Sequence, residues 1–170
     1  MAKYHLNKPE REITNKQTLF DILERGKYTT IALCRGNPSL SPAERENEPY
    51  LVTLNYGYDK EKNSLYFHTA LKGLKLDFIR EHPKVCATVI EDNGYVMDKC
   101  SHRYRSVVFW GTMTVVEELE EKKYGMDILL HHLEDRPDAV KQRLLKDDTV
   151  YQNVGILRLD IHEISGKEGQ

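Results

Sequence analysis

Cysteine is scarce. The chain has three, Cys34, Cys86 and Cys100, an odd number at wide spacing. That excludes a disulfide framework and a Cys-x-x-Cys metal knuckle. No apolar run approaches the roughly 18 residues of a membrane span, and the opening MAKYHLNKPEREIT lacks the apolar segment of a secretory signal. Both absences lead to the expectation of a cytoplasmic protein that stays off the membrane. A charge of one sign is missing too: 25 lysines and arginines stand against 27 aspartates and glutamates, a net −2. There is no basic excess to hold nucleic acid. The chain also lacks a Gly-x-Gly-x-x-Gly dinucleotide fingerprint, an internal repeat and a low-complexity block.

What is present suits one domain of 170 residues, with 39% hydrophobic and 31% charged positions. Residues 1–13 are polar and read as an arm, 14–166 as the domain, and 167–170 as a tail. NKQTLFDILERG predicts a helix with Asn15 or Thr14 as cap and Gly26 as stop. YTTIALC (28–34) reads as a strand, and the three prolines of 36–49 mark a long loop. YLVTLNYGY (50–58) alternates, with Val52, Leu54, Tyr56 and Tyr58 on one face and Thr53 and Asn55 on the other. DKEKNS would turn it back into a paired strand, 64–70. A short helix is expected over 71–82, with Leu71, Leu74 and Phe78 on one stripe and Lys72 and Lys75 a turn apart.

A strand at 85–92, an irregular connection and a long strand at 105–118 follow. That last strand is apolar on both faces, and its Gly111 suggests a bulge or a close approach. Helices at 119–135 and from Pro137 precede a final strand at 153–166. The order is not an alternating βαβ pattern. It predicts a mainly β (α+β) fold, an antiparallel barrel with helices packed outside.

The segment FHTALKGLKLD (67–77) is the densest polar cluster in an apolar region. A strand ending at His68 and Thr69 runs into a helix start, where unpartnered N–H groups and the helix dipole favour an anion. Thr69 adds a hydroxyl, Lys72 and Lys75 add charge, and Gly73 permits close approach. The residues fit a phosphate site, and equally a capped helix with two solvated lysines. His68 is either a proton donor beside a ligand or a histidine satisfied by backbone. His131 and His132 are adjacent on a helix and make a poor chelate even with Asp135 nearby, so no metal is expected. Cys100 and His102 lack a third member for nucleophilic catalysis. The run ELEEKK reads as a solvated helix face. Trp110 suits a flat ring or a barrel core.

The combination YLVTLNYGYD, SLYFHTALKGLKLDFIREHPKVCATV and YRSVVFWGTMTVVEE resembles the pyridoxamine 5′-phosphate oxidase-like flavoproteins, and within them the 5-nitroimidazole-resistance branch. The resemblance covers about residues 20–118, and the strand near 153–164 fits as well. It implies a split β-barrel of the FMN-binding type that forms a homodimer with two flavins at the subunit interface. Leu51, Val52, Thr53, Leu54 and Asn55 would run along the flavin ring. His68, Thr69, Lys72, Gly73 and Lys75 would hold phosphate and ribityl chain. Arg105 and Ser106 would also reach the flavin, and Trp110 joins the cofactor set as a stacking candidate. His68 would stand where substrate binds, as the catalytic candidate. The oxidase's C-terminal substrate motif has no match in NVGILRLDIHEISGKEGQ, so vitamin B6 oxidation is not expected. The loop at 36–49 is longer than is usual for this branch.

The expected function is therefore an FMN-dependent reductase of a small, flat electron acceptor such as a nitroaromatic. NAD(P)H is a candidate donor, docking transiently over the flavin. An alternative is a non-catalytic protein that binds or sequesters FMN or haem; haem would need an axial ligand from His68, His102 or His131. A structural dimer with an empty pocket is a third reading. The doubly apolar strand 105–118 supports the dimer independently of the resemblance.

Overall fold

The computed structural model describes residues 7–35 and 48–169; most of the expected 36–49 loop lies outside the described residues. A 3₁₀ turn (Pro9–Arg11) and α1 (Lys16–Arg25) lead into β1 (Tyr28–Arg35), β2 (Glu48–Asn55), β3 (Gly57–Asp59) and β4 (Ser64–Thr69). Then come α2 (Leu74–Glu81), the long strands β5 (Lys84–Val96) and β6 (Ser101–Val116), the helices α3 (Leu119–Leu133), α4 (Pro137–Leu144) and α5 (Asp148–Gln152), and β7 (Gly155–Gly169). Every strand pairing is antiparallel, in the order β2-β1-β5-β6-β7-β4-β3. The two ends of the sheet curl together where β2 comes against β4.

Alternation along the strands fills the barrel. Ile31, Leu33, Leu65, Phe67, Val107, Phe109, Leu157 and Leu159 point inward and are buried. α1 closes one end with Leu19, Ile22 and Leu23; Asn15 caps it by accepting a hydrogen bond from the Gln17 N–H at 2.8 Å. A second apolar cluster lies outside the barrel, where Tyr66, Val116 and Ile156 pack under Met126 and Leu129 of α3 and Tyr151 of α5.

Several elements depart from the sequence expectation. The stretch 50–58 is not one strand paired to 64–70. At Tyr56 the chain leaves β1 and joins β4, so the hairpin holds only Gly57–Asp59 against Ser64–Tyr66. Buried Tyr56 makes that corner, with its hydroxyl donating to the Leu23 carbonyl at 2.7 Å. Glu48 and Pro49 belong to β2 rather than to a loop. The helix expected over 71–82 begins at Leu74, behind an N-cap at Gly73. Leu71 and Leu74 are exposed, and Leu76, Phe78 and Ile79 are the buried face. Lys72 thus precedes the helix. The irregular connection at 93–102 is instead the far end of a β5–β6 ribbon. α5 had no counterpart in the expectation. β7 continues to Gly169, pairing Lys167, Glu168 and Gly169 with β6.

Gly111 does mark an irregularity. β7 bulges at His162 opposite it, and a Cβ on Gly111 would stand 2.2 Å from the Asp160 carbonyl oxygen. His132 is a structural pin, not a ligand. Its Nε2 donates to the Gly26 carbonyl at 2.6 Å, its Nδ1 faces the Tyr58 N–H at 3.5 Å, and its ring lies on Tyr56. Burial and the Lys27 charge lower its pKa, so the neutral imidazole ties α3 to the α1–β1 corner.

Candidate flavin site

The sequence-predicted site residues fall into two groups and some outliers. The first group occupies one outward face of the sheet. Across it, Leu51, Ala32, Cys86 and Trp110 are successive neighbours on β2, β1, β5 and β6. The adjoining row holds Thr53, Thr30, Thr88 and Val108. The Thr53 and Thr30 hydroxyls are 3.0 Å apart, as side chains on one face must be. Asn55 and Ser106 continue this face at its margin, opposite Tyr28 and Ile90. Trp110 is half-buried and, with Cys34, Cys86, Lys84 and His162, lines an open groove of about 580 Å³.

Leu51, Tyr28 and Ile90 on this face are 65, 61 and 58% exposed. The row of Thr53, Thr30 and Thr88 lies between Leu51 and the Tyr28 and Ile90 margin, so the face carries apolar and polar bands side by side. Val52 and Leu54 turn the other way, against the barrel core. β2 is an edge strand, so its backbone offers unladdered donors and acceptors along one side.

The second group sits where β4 gives way to α2. His68 is exposed on the face of β4 opposite Phe67 and Thr69, and makes no hydrogen bond among the described residues. Lys72 is exposed and Lys75 half-exposed, and neither enters an ion pair among the described residues. Gly73 has φ +139°, and nothing lies within 4 Å of a Cβ placed on it. No side chain caps α2. These are the features of an anion cradle: a helix start without a cap, open space over a glycine, and two unpaired ammonium groups.

Arg105 and Thr69 stand apart from these groups. Arg105 points to the other face of β6 from Ser106, where it pairs with Glu91 at 2.6 Å; Glu91 also holds Arg25 at 2.9 Å. Thr69 buries its hydroxyl in a separate cavity at the strand end, beside Lys122 and Arg80. Among the other histidines, His102 meets Asp92 at 2.6 Å, and Nδ1 of His131 bonds the Asp127 carbonyl at 2.9 Å. Cys100 is exposed in the ribbon turn. No cluster of metal ligands exists among the described residues, and no described helix is long and apolar enough to cross a membrane.

Lys122 corrects the reading of ELEEKK as solvated, because it is buried. Its spacing carried the signal: Lys122, Met126 and Leu129 share the inner face of α3.

An antiparallel split barrel with flanking helices defines a fold class found in flavin-binding proteins. The pyridoxamine 5′-phosphate oxidase family matches residues 15–168, and the chain belongs to that family. A Bacteroides thetaiotaomicron structure described as a 5-nitroimidazole antibiotic resistance protein is similar, with 22% identity over 93% of this chain and 86% of that one and a TM-score of 0.71. A FAD-binding protein from Mesorhizobium loti has 19% identity over 94% and 98%, with a TM-score of 0.62. The FAD and heme binding protein of Mycobacterium smegmatis has 20% identity over 94% and 74%, with a TM-score of 0.68. No curated protein matches the sequence.

Proposed function

We propose that this protein is a homodimeric FMN flavoprotein that reduces small, flat electron acceptors. One observation carries the reading: an outward sheet face that offers Leu51 and Trp110 beside Thr53 and Asn55 accompanies a basic junction at Lys72, Gly73 and Lys75 whose lysines enter no ion pair among the described residues. A ring needs the first and a phosphate needs the second. The residues fit the cofactor's chemistry, since the open space over Gly73 admits a phosphate and the uncapped helix start supplies N–H donors.

In this reading Lys72 and Lys75 neutralise the phosphate. The β2 edge addresses the polar margin of the ring, with Thr53 and Asn55 as side-chain partners. A second copy of the chain covers this face, excludes water and completes the pocket. When bound, FMN supplies the redox centre that accepts and donates electrons. His68, exposed and with no side-chain hydrogen bond among the described residues, orients the acceptor or delivers a proton to it. The family's kinship with a 5-nitroimidazole resistance protein supports a nitroaromatic acceptor. NAD(P)H as donor would dock transiently over the flavin, since the sequence carries no dinucleotide fingerprint.

The test is the absorption spectrum of the purified, untagged protein, followed by denaturation to identify the released chromophore. Two flavin bands with FMN released, and turnover of NAD(P)H with a nitroaromatic, are expected. A Soret band would move the protein to haem binding. Bound flavin that no donor reduces would leave a carrier. No chromophore and no uptake of added FMN would overturn the reading.

A further inference from the structure

The cavity at the end of β4 has Thr69 in its wall, and none of His68, Lys72, Gly73 or Lys75 lines it. It measures about 220 Å³. Two groups in its wall are buried without adequate partners. Thr69 is 6% exposed, and its Oγ1 makes no hydrogen bond among the described residues. Lys122 is 8% exposed; its ammonium donates once, to the Val154 carbonyl at 3.0 Å, and pairs with no carboxylate among the described residues. A buried hydroxyl left unsatisfied and a buried ammonium left uncompensated are each unfavourable. Here they share one cavity.

The remaining wall defines what would satisfy them. Arg80, whose guanidinium also lies 3.8 Å from the Asp77 carboxylate, brings a second cation at the mouth, and exposed Glu117 brings one anion. With Lys122 the lining sums to one positive charge, which matches a monoanion and disfavours a dianion. Leu71, Leu76 and Val115 form the apolar part of the wall. α3 begins beside the cavity with no side-chain cap, and Glu120 and Glu121 already stand in its first turn, so the helix end adds no net attraction for an anion and the cations of the wall must supply it.

We infer that this cavity is a binding site for a small organic monoanion, a carboxylate with a short apolar tail. The Lys122 ammonium and Thr69 hydroxyl receive the carboxylate, Arg80 closes over it, and the leucines and valine hold the tail. The site stands on its own residues and does not depend on the flavin reading.

Calorimetric titration of the full chain with butyrate tests it, with butyramide as the uncharged control and sulfate as the dianionic one. Saturable butyrate binding at one site per chain is expected, with butyramide and sulfate at least about tenfold weaker. Lys122→Met keeps the length of the side chain and should weaken butyrate about tenfold or more, while Thr69→Val should weaken it severalfold. Without ligand, Lys122→Met should melt no lower than the wild type, because it removes an uncompensated buried charge. Equal binding of butyrate and butyramide would overturn the inference, as would binding indifferent to Lys122→Met. A ligand-free Lys122→Met protein that melts well below wild type would make Lys122 a structural residue and overturn it too. Stoichiometric competition between FMN and butyrate would assign the cavity to the cofactor and sink this inference alone. Butyrate binding in a protein that takes up no FMN would sink the proposed function and leave the inference standing.

Discussion

Gly111 is one residue whose replacement has a calculable geometric penalty. The atom a Cβ would meet is the Asp160 carbonyl oxygen, part of the central β6–β7 ladder, and backbone there cannot retreat without breaking the bulge. Gly111→Ala should therefore destabilise the protein by about 2–3 kcal/mol in urea unfolding, far more than an ordinary surface change. The lysines at the β4–α2 junction have the opposite character: Lys72 is exposed, Lys75 is half-exposed, and neither enters an ion pair among the described residues. Lys75→Glu should leave the melting temperature nearly unchanged and reduce FMN occupancy at purification at least about tenfold; full occupancy would refute the phosphate assignment. At this scale the sequence reached the right neighbourhood but not each direction. Alternation separates Thr53 and Asn55 from Val52 and Leu54 without coordinates. It could not show that Arg105 is engaged by Glu91, because that partner lies on another strand.

At the scale of elements, α3 is held to the barrel by a neutral imidazole. The His132 ring faces Lys27 and Glu24 as well as the two backbone partners, and its folded pKa lies below the ordinary value of 6.5. The unfolded chain therefore binds the proton first as pH falls. Stability from this pin is complete above about 6.5 and is lost progressively as pH falls toward the lower folded value. The melting temperature should drop between pH 7.5 and 5.5. In His132→Gln the drop should be smaller, from a starting point lower by about 1 kcal/mol. A wild type and variant with the same pH slope would contradict this.

Elements with a buried face were legible: α1, β1, β4 and the inner half of β6 follow their apolar periods. The outer β5–β6 ribbon was not, because Tyr95 and Met97 stand in solvent and neither face of a two-stranded arm is buried. β7 beyond Gly166 escaped for a related reason. Lys167 and Glu168 are held by ladder hydrogen bonds to β6, which leave no hydrophobic pattern. The break at Tyr56 was hidden because β2 and β3 keep the same alternation while changing partners.

For the whole molecule, the outward face of β2, β1, β5 and β6 leaves Leu51, Tyr28 and Ile90 in solvent, and a cover for them is part of the proposed function. If a second copy supplies it, Ile90→Lys should place buried charges against each other across the interface. The mass in solution should halve, and FMN should be lost along with the dimer. A wild-type protein that is monomeric at working concentration would contradict both the cover and the flavin pocket it completes.

The pairing of β4 with β7 has a consequence in time rather than in strength. Ser64 and Asp160 touch through a hydrogen bond although 96 positions separate them along the chain. The four helices α2, α3, α4 and α5 lie in the intervening segment. The barrel cannot shut until that loop has closed, so its entropy is lost before the contact returns anything. Refolding from urea should run in milliseconds to seconds rather than microseconds. Until then β4 has no ladder partner except the three residues of β3, and during that interval the nascent sheet is open to pairing with a neighbouring chain.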